Sequence, residues 1–254
     1  NISHVNNEIL EMGGLKETIS GNSINRVGEP IGAYFGYKSI GIYRTEADLQ
    51  RTNSKGEVIK QNGVAPKLGD IMYADLNDDG NITAEDRDII GNPFPKYSYS
   101  FNLGASWKNF DFSMQWTGAW NVDRMLSEFR RPLGDTNSKA LLLYQYETTW
   151  RSSEDTFTAK FPRASNSHAS NNYRGTDLYL INASYLRLKN VEIGYNFDFP
   201  FMKKMKLDNC RLYINGYNLL TITGFDWGDP ESRQSDRPNY PLTRVFNIGL
   251  KVGF

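Results

Sequence analysis

The stretch "YSYSFNLGASWKNFDFSMQWTGAW" (Tyr97–Trp120) decides the fold. From Tyr97 to Trp107 the odd positions are Tyr97, Tyr99, Phe101, Leu103, Ala105 and Trp107. Between them stand Ser98, Ser100, Asn102, Gly104 and Ser106. After Lys108–Asn109 the alternation resumes in shifted phase, with Phe110, Phe112, Met114, Trp116 and Trp120 set against Asp111, Ser113, Gln115, Thr117 and Ala119. Successive side chains of a strand point to opposite faces, so period two predicts strands with one apolar and one polar face.

The same pattern closes the chain. Phe246, Ile248, Leu250, Val252 and Phe254 alternate with Asn247, Gly249, Lys251 and Gly253. In "SYLRLKNVEIGYNF" (Ser184–Phe197) the apolar parity changes from Leu186 and Leu188 to Val191, Ile193, Tyr195 and Phe197. That change predicts a bulge near Lys189 and Asn190. "CRLYINGYNLL" (Cys210–Leu220) is mixed, with polar groups on both faces near its end.

Short connections alternate with long ones: "KN", then 121–183, then 198–209, then 221–242. Clean strands of about ten residues suit a tilted crossing of a bilayer, and short turns opposite long loops are the habit of outer-membrane barrels. A soluble sandwich is the alternative, with shorter strands and loops of similar length at both ends. Tyr97, Trp107, Phe110 and Trp120 stand at strand ends, and Phe254 closes an apolar face, as membrane-interface aromatics do. Six strands are too few to enclose a barrel, so the pattern describes part of a longer wall.

Composition agrees. The net charge is zero, which gives no electrostatic case for nucleic acid. The lone Cys210 excludes an intrachain disulfide and a cysteine metal cluster. No apolar run of roughly eighteen residues predicts a transmembrane helix, but barrel strands hide their apolar half in alternate positions. "NISHVNNEIL" is not a signal peptide and reads as the middle of something longer.

"DLNDDGNITAED" (Asp75–Asp86) resembles the twelve-residue calcium loop, in which alternate oxygens wrap a hard cation and a glycine makes the turn. Asp75, Asn77, Asp79 and Asp86 are its candidate side-chain ligands, with Asn81 supplying a backbone carbonyl. A structural Ca²⁺ is the expectation; the alternative is a metal-free turn held by its own Asx hydrogen bonds. Asp at the twelfth place is shorter than the usual Glu. His4 and His168 have no partner at ligand or triad spacing, no carboxylate pair stands out as a glycosidase acid and base, and no phosphate loop or nucleophile elbow occurs. An enzyme is not expected.

Taken in order along the chain, several blocks resemble the SusC/RagA-type TonB-dependent transporters of the Bacteroidetes outer membrane. They are "GEPIGAYFGYKSIGIY" (Gly28–Tyr43), Gly69–Asn121, "TTWRSSEDTFTAKFPRAS" (Thr148–Ser165), Ser184–Phe197, "CRLYINGYNLLTITGFDWGDPE" (Cys210–Glu231) and "YPLTRVFNIGLKVGF" (Tyr240–Phe254). The resemblance implies an all-β, antiparallel transmembrane barrel of about 22 strands, of which this chain supplies the last six or so. Residues 11–96 then form a long extracellular segment, and 97–254 the last five strands with their loops. The N-terminal plug and the TonB-contacting segment are absent from this chain.

The resemblance also implies import of oligosaccharides or peptides, energy delivered by the TonB complex, and a SusD-like surface lipoprotein as lid. Transporter–lipoprotein pairs can form dimers. Passive channel activity is the alternative within the membrane, and a soluble calcium-braced carbohydrate-binding or adhesion domain outside it. Tyr144, Tyr146, Trp150, Tyr173, Phe225 and Trp227 are candidate contacts for substrate or lipoprotein, with loop packing as the plainer use of each. "LLLYQYETTW" (Leu141–Trp150) predicts a short helix in its loop. Arg163, Arg187 and Lys189 are expected to form ion pairs in the lumen or loops.

Overall fold

The structure is a computed structural model that describes residues 1–126, 143–151, 159–165, 171–200, 207–232 and 242–254, Tyr144 and Gln145 by backbone alone. Strand β1 (Ile2–His4) comes first. Eight short strands follow: β2 (Glu17–Ser20), β3 (Ser23–Arg26), β4 (Ala33–Tyr37), β5 (Ser39–Ile42), β6 (Lys60–Gln61), β7 (Ile71–Tyr73), β8 (Asn81–Ile82) and β9 (Arg87–Gly91). Then come the long β10 (Tyr97–Trp107) and β11 (Phe110–Trp120), and the short β12 (Asp123–Met125) and β13 (Leu180–Asn182). The last are β14 (Tyr185–Phe197), β15 (Asn209–Thr223) and β16 (Val245–Gly253).

The long strands make one antiparallel sheet in the order β1-β10-β11-β14-β15-β16. Its registry sorts the side chains as the alternation predicts. Phe110, Tyr195, Leu212 and Leu250 lie in one row, and Phe112, Ile193, Ile214 and Ile248 in another, all on the apolar face. Asp111, Gly194, Tyr213 and Gly249 form a row of the polar face, followed by Ser113, Glu192, Asn215 and Asn247. The apolar face is left uncovered: Ile248 is 72% exposed and Leu250 62%.

The bulge is where the parity change puts it. Gln115 faces Asn190 and Trp116 faces Leu188, so Lys189 is the extra residue. One inserted residue inverts the parity of everything beyond it, and here it keeps Leu186 and Leu188 on the apolar face with Val191 and Ile193. On β15 the pairing jumps from Tyr217 to Leu220, and Asn218 takes a left-handed φ of 55°. This second irregularity accounts for the mixed pattern there. Cys210 lies on the apolar face opposite Phe197 and Val252 and is half-buried.

Residues 11–95 show little strand pattern in sequence, yet they build a lobe of small sheets, β2-β3-β4-β9, β5-β7 and the parallel pair β6-β8. Strands of two to five residues are too short to display alternation. The lobe shares one core with the loop end of the wall: Ile59, Ile71, Tyr73, Ile82, Val122, Met125, Tyr179 and Ala183 are buried together, against Ala119 and Phe225. Helix α1 (Leu143–Thr148) confirms the short loop helix, and Trp150 lies beyond its end.

Candidate functional site

The polar face carries a continuous ladder across four strands. Asp111 on β11 accepts from the Arg211 guanidinium of β15 and from Asn196 Nδ2 at 2.9 Å. Arg211 also donates to Glu192 Oε1 at 2.8 Å. Glu192 Oε2 accepts from Asn215 Nδ2, and Asn215 Oδ1 accepts from Asn247 Nδ2 at 2.9 Å. Arg211 can lie flat across β14 because Gly194 has no side chain; a Cβ there would fall inside the guanidinium. Asp111, Glu192 and Arg211 were not singled out from the sequence, although each falls on the polar parity of its strand.

Near the loop end the chain folds back as a strap, 224–232, over this same face. Arg187 on β14, 2% exposed, donates to Asp229 Oδ1 and Glu231 Oε2 at 2.6 Å each and to Thr221 Oγ1 at 3.0 Å. Tyr185 donates its hydroxyl to Glu231 Oε1 at 2.6 Å, and Lys189 stands 3.6 Å from Glu231. Arg124 anchors the strap's end through the Ser232 carbonyl at 2.7 Å. A cleft of about 450 Å³ opens between strap and wall, bordered by Ser98, Ser100, Thr117, Tyr185, Arg124 and Glu231. The ion pairing expected of Arg187 and Lys189 is therefore present, with partners some forty residues away in sequence. Arg163 is paired too, with Asp70 Oδ1 at 2.6 Å, and Asn172 Nδ2 donates to the same oxygen at 2.9 Å.

The calcium-like loop lies in the lobe. Asp75 accepts the N–H groups of Asp79 and Gly80, Asn77 Oδ1 that of Asp79, and Asp79 Oδ1 that of Asn81. These Asx bonds wind the turn, and Gly80 takes a φ of 78° that an L residue rarely adopts. The backbone bonds to β6 use the carbonyls of Gly80 and Ile82, so the carbonyl of Asn81 between them points away from β6. Asn81 Oδ1 is engaged elsewhere, accepting from Gly63 N at 2.7 Å.

Asp86 is wholly buried, and its two oxygens accept the N–H groups of Leu76 at 2.8 Å and Thr83 at 2.7 Å. With Thr83 it forms a capping box on the short helical turn Ala84–Asp86. The donor set is hard oxygen throughout, and each bonded carboxylate oxygen keeps a further lone pair, so the chemistry fits Ca²⁺. Among the described residues no three His, Cys, Asp or Glu side chains converge as a metal cage, and Asn77 Nδ2 spans to Asp79 Oδ2 at 3.0 Å. What the geometry displays directly is a turn that holds itself, with Asp86 as its buried clasp.

The loop aromatics divide. Phe225 is buried in the shared core, with Trp227 packed against it. Trp150 lies against the backbone of Gly69. Tyr173 exchanges two hydrogen bonds with the Ser165 backbone, and burial pushes its hydroxyl pKa up. Tyr146 on α1 is exposed, beneath the Arg151 guanidinium. The side chain of Tyr144 and all of His168 lie outside the described residues.

The strand-end aromatics form two groups. Tyr97 and Trp120 pair at the loop end with ring centroids 5.4 Å apart. At the turn end Phe110 meets Tyr195 at 4.8 Å, Trp107 carries Lys108 over its ring, and Phe254 is 88% exposed.

No family model matches the chain. TonB-dependent receptor P3 of Formosa agariphila is 32% identical over 247 residues, which is 91% of this chain and 23% of the relative. TonB-dependent receptor P26 of the same organism is 27% identical over 281 residues, 100% of this chain and 26% of the relative. The TonB-dependent receptor SusC of Bacteroides thetaiotaomicron is 24% identical over 200 residues, covering 78% and 19%. In fold, the chain superposes on the RagAB peptide transporter with a TM-score of 0.71 at 19% identity, over 96% of this chain and 25% of that one. The chain spans about a quarter of the length of these relatives. With a polar-faced, apolar-backed antiparallel wall and this set of relatives, the chain belongs to the SusC/RagA-type TonB-dependent receptors of the outer membrane, as a segment of their barrel wall.

Proposed function

We propose that the whole protein is a TonB-dependent importer that brings oligosaccharides or peptides across the outer membrane beneath a SusD-like surface lipoprotein. The observation that carries this reading is the two-faced wall. One face is apolar and uncovered from Phe110 to Phe246, and the other is a hydrogen-bonded polar surface. Eleven-residue strands rise about 3.3 Å per residue and, tilted by roughly 40°, span an apolar band of about 25 Å. The two aromatic groups bracket such a band. The polar face then lines the lumen, and the lobe 11–96 and the strap sit at the outer mouth.

In this reading the chain performs no covalent chemistry. Its ladder presents bonded charges to passing solute, two carboxylates on one guanidinium, and the lobe offers a surface to the lipoprotein. Ca²⁺ at Asp75, Asn77, Asp79, the Asn81 carbonyl and Asp86 would serve as a brace; the Asx-wound turn and the outward Asn81 carbonyl support it. Import and lid are tested together by mild-detergent extraction of the intact protein from outer membranes. A stoichiometric lipoprotein, and uptake that stops when TonB is deleted, are expected. A barrel that comes out alone, with uptake indifferent to TonB, contradicts the proposal and favours a passive channel.

A further inference from the structure

We propose that Tyr99 is a positioning residue for the strap: from the apolar face of the wall it fixes the backbone of Tyr185, whose side chain holds the strap on the opposite face. This rests on the reading of the uncovered apolar face as the lipid face. Ile2, Tyr99, Gly118, Leu186 and Ile222 form one row of that face. Ile2 is 78% and Ile222 55% exposed, yet Gly118 between them is buried. The Tyr99 ring covers it, and a Cβ at Gly118 would fall inside that ring. An aromatic side chain laid over a neighbouring strand glycine is a recognised way of pinning register.

The missing side chain at Gly118 lets the ring reach right across β11. Tyr99 Oη then donates to the carbonyl oxygen of Tyr185 on β14 at 2.9 Å. That oxygen would stand 2.5 Å from a Cβ on Gly118, so the carbonyl leans out of the sheet toward the apolar face. The row lies about 7 Å inside the Tyr97–Trp120 pair, two residues deeper along the strands. A backbone carbonyl turned toward lipid at that depth has no water to bond, and the Tyr99 hydroxyl supplies the donor.

The side chain of Tyr185 leaves for the other face. Its hydroxyl donates to Glu231 at 2.6 Å. Arg187, with its guanidinium 5.2 Å from the centre of the Tyr185 ring, bonds Glu231 and Asp229. Tyr185 is thus gripped by its carbonyl from one face and by its hydroxyl from the other. It is also the first residue of β14, and strand ends open more readily than strand centres. Holding this end still keeps both groups that grip the strap in place.

The test is maleimide labelling of Ser232→Cys in the whole protein in outer-membrane vesicles, read at that residue by mass spectrometry. Rates are compared for the otherwise native protein, Tyr99→Phe, Tyr185→Phe, the double variant of these two, and Ile222→Ala. Tyr99→Phe leaves the ring over Gly118 and removes only the hydroxyl. It should speed labelling roughly three- to tenfold, as the loss of one hydrogen bond does. Tyr185→Phe should act similarly, and the double variant should be no faster than Tyr185→Phe alone, because both act through one contact. Ile222→Ala, in the same row but outside the chain of contacts, should leave the rate unchanged.

The heat-dependent gel shift shows that each variant assembles. Equal rates for the native protein and Tyr99→Phe overturn the proposal. So do multiplying effects in the double variant, or an acceleration by Ile222→Ala as large as that by Tyr99→Phe, which would mark a general loosening of the wall. Lipid contact of the row is scored separately, by oxygen relaxation of a spin label on Ile222→Cys, so the reading of the wall can stand while the positioning role falls.

Discussion

Replacing Asp86 by Ala should undo the calcium-like loop without metal being involved at all. Its carboxylate is fully buried and accepts two backbone N–H groups, from Leu76 and Thr83. Hydrogen bonds to a charged group contribute about 1.5–3 kcal/mol each, and alanine leaves both donors without their partner. The local loss is then roughly 3–5 kcal/mol, since the two bonds share one carboxylate. At about 1.4 kcal/mol per factor of ten, even the lower figure makes local opening more than 100-fold more frequent. Amide hydrogen exchange of the whole protein in detergent with EGTA, followed on peptides spanning 75–88, reads this directly. Those peptides should lose two or more decades of protection while peptides of β14 keep theirs. Unchanged protection at 75–88 refutes the clasp.

Three further outcomes follow from other contacts. Gly194→Ala should push the Arg211 guanidinium off β14 and cost about 1–2 kcal/mol, seen as a lowered temperature for the barrel's heat-dependent gel shift; an unshifted temperature contradicts the flat-lying arginine. Arg187→Met should free the strap by roughly 2–4 kcal/mol, less than for a fully buried pair because Glu231 is one-third exposed. Maleimide labelling of Ser232→Cys should then accelerate, and equal labelling rates argue against the latch. Lys38, donating to Asp88 at 2.8 Å, holds that carboxyl below the ordinary carboxylate range. A depressed pKa stabilises the folded lobe above about pH 3.9 and loses that contribution as pH falls through the folded value. Pepsin nicking of 33–42 should rise as pH drops below about 4, and Lys38→Met should flatten the rise; identical profiles contradict the linkage.

The wall was legible in sequence because ten-residue strands repeat their period five times over. Even the bulge announced itself, since one extra residue at Lys189 inverts the parity of Val191 and Ile193. The irregularity at Asn218 was blurred because it falls near the end of its strand. The lobe was not legible. Its strands are two to five residues long and pair across wide gaps, Gln61 with Ile82 and Tyr37 with Arg87.

Site residues divided along the same line. Polar parity marked Asp111, Glu192 and Arg211 as lumen-side, but their joining into one ladder depends on registry across three strands. Phe225 and Trp150 carry the composition of ligand contacts, and only tertiary packing shows them turned into the protein. The spacing of Asp75, Asn77, Asp79 and Asp86 declared a turn of defined shape; that Asp86 is its buried clasp required the positions of Leu76 and Thr83.

The central claim is that alternate residues of the wall meet lipid and water. Spin labels placed one at a time from Phe246 to Val252, in the whole protein in outer-membrane vesicles, test it through the balance of oxygen and water-soluble nickel relaxation. The account predicts a period of two: labels at 246, 248, 250 and 252 relaxed by oxygen, and those at 247, 249 and 251 by nickel. Uniform access of nickel to both sets, or no alternation, would contradict it.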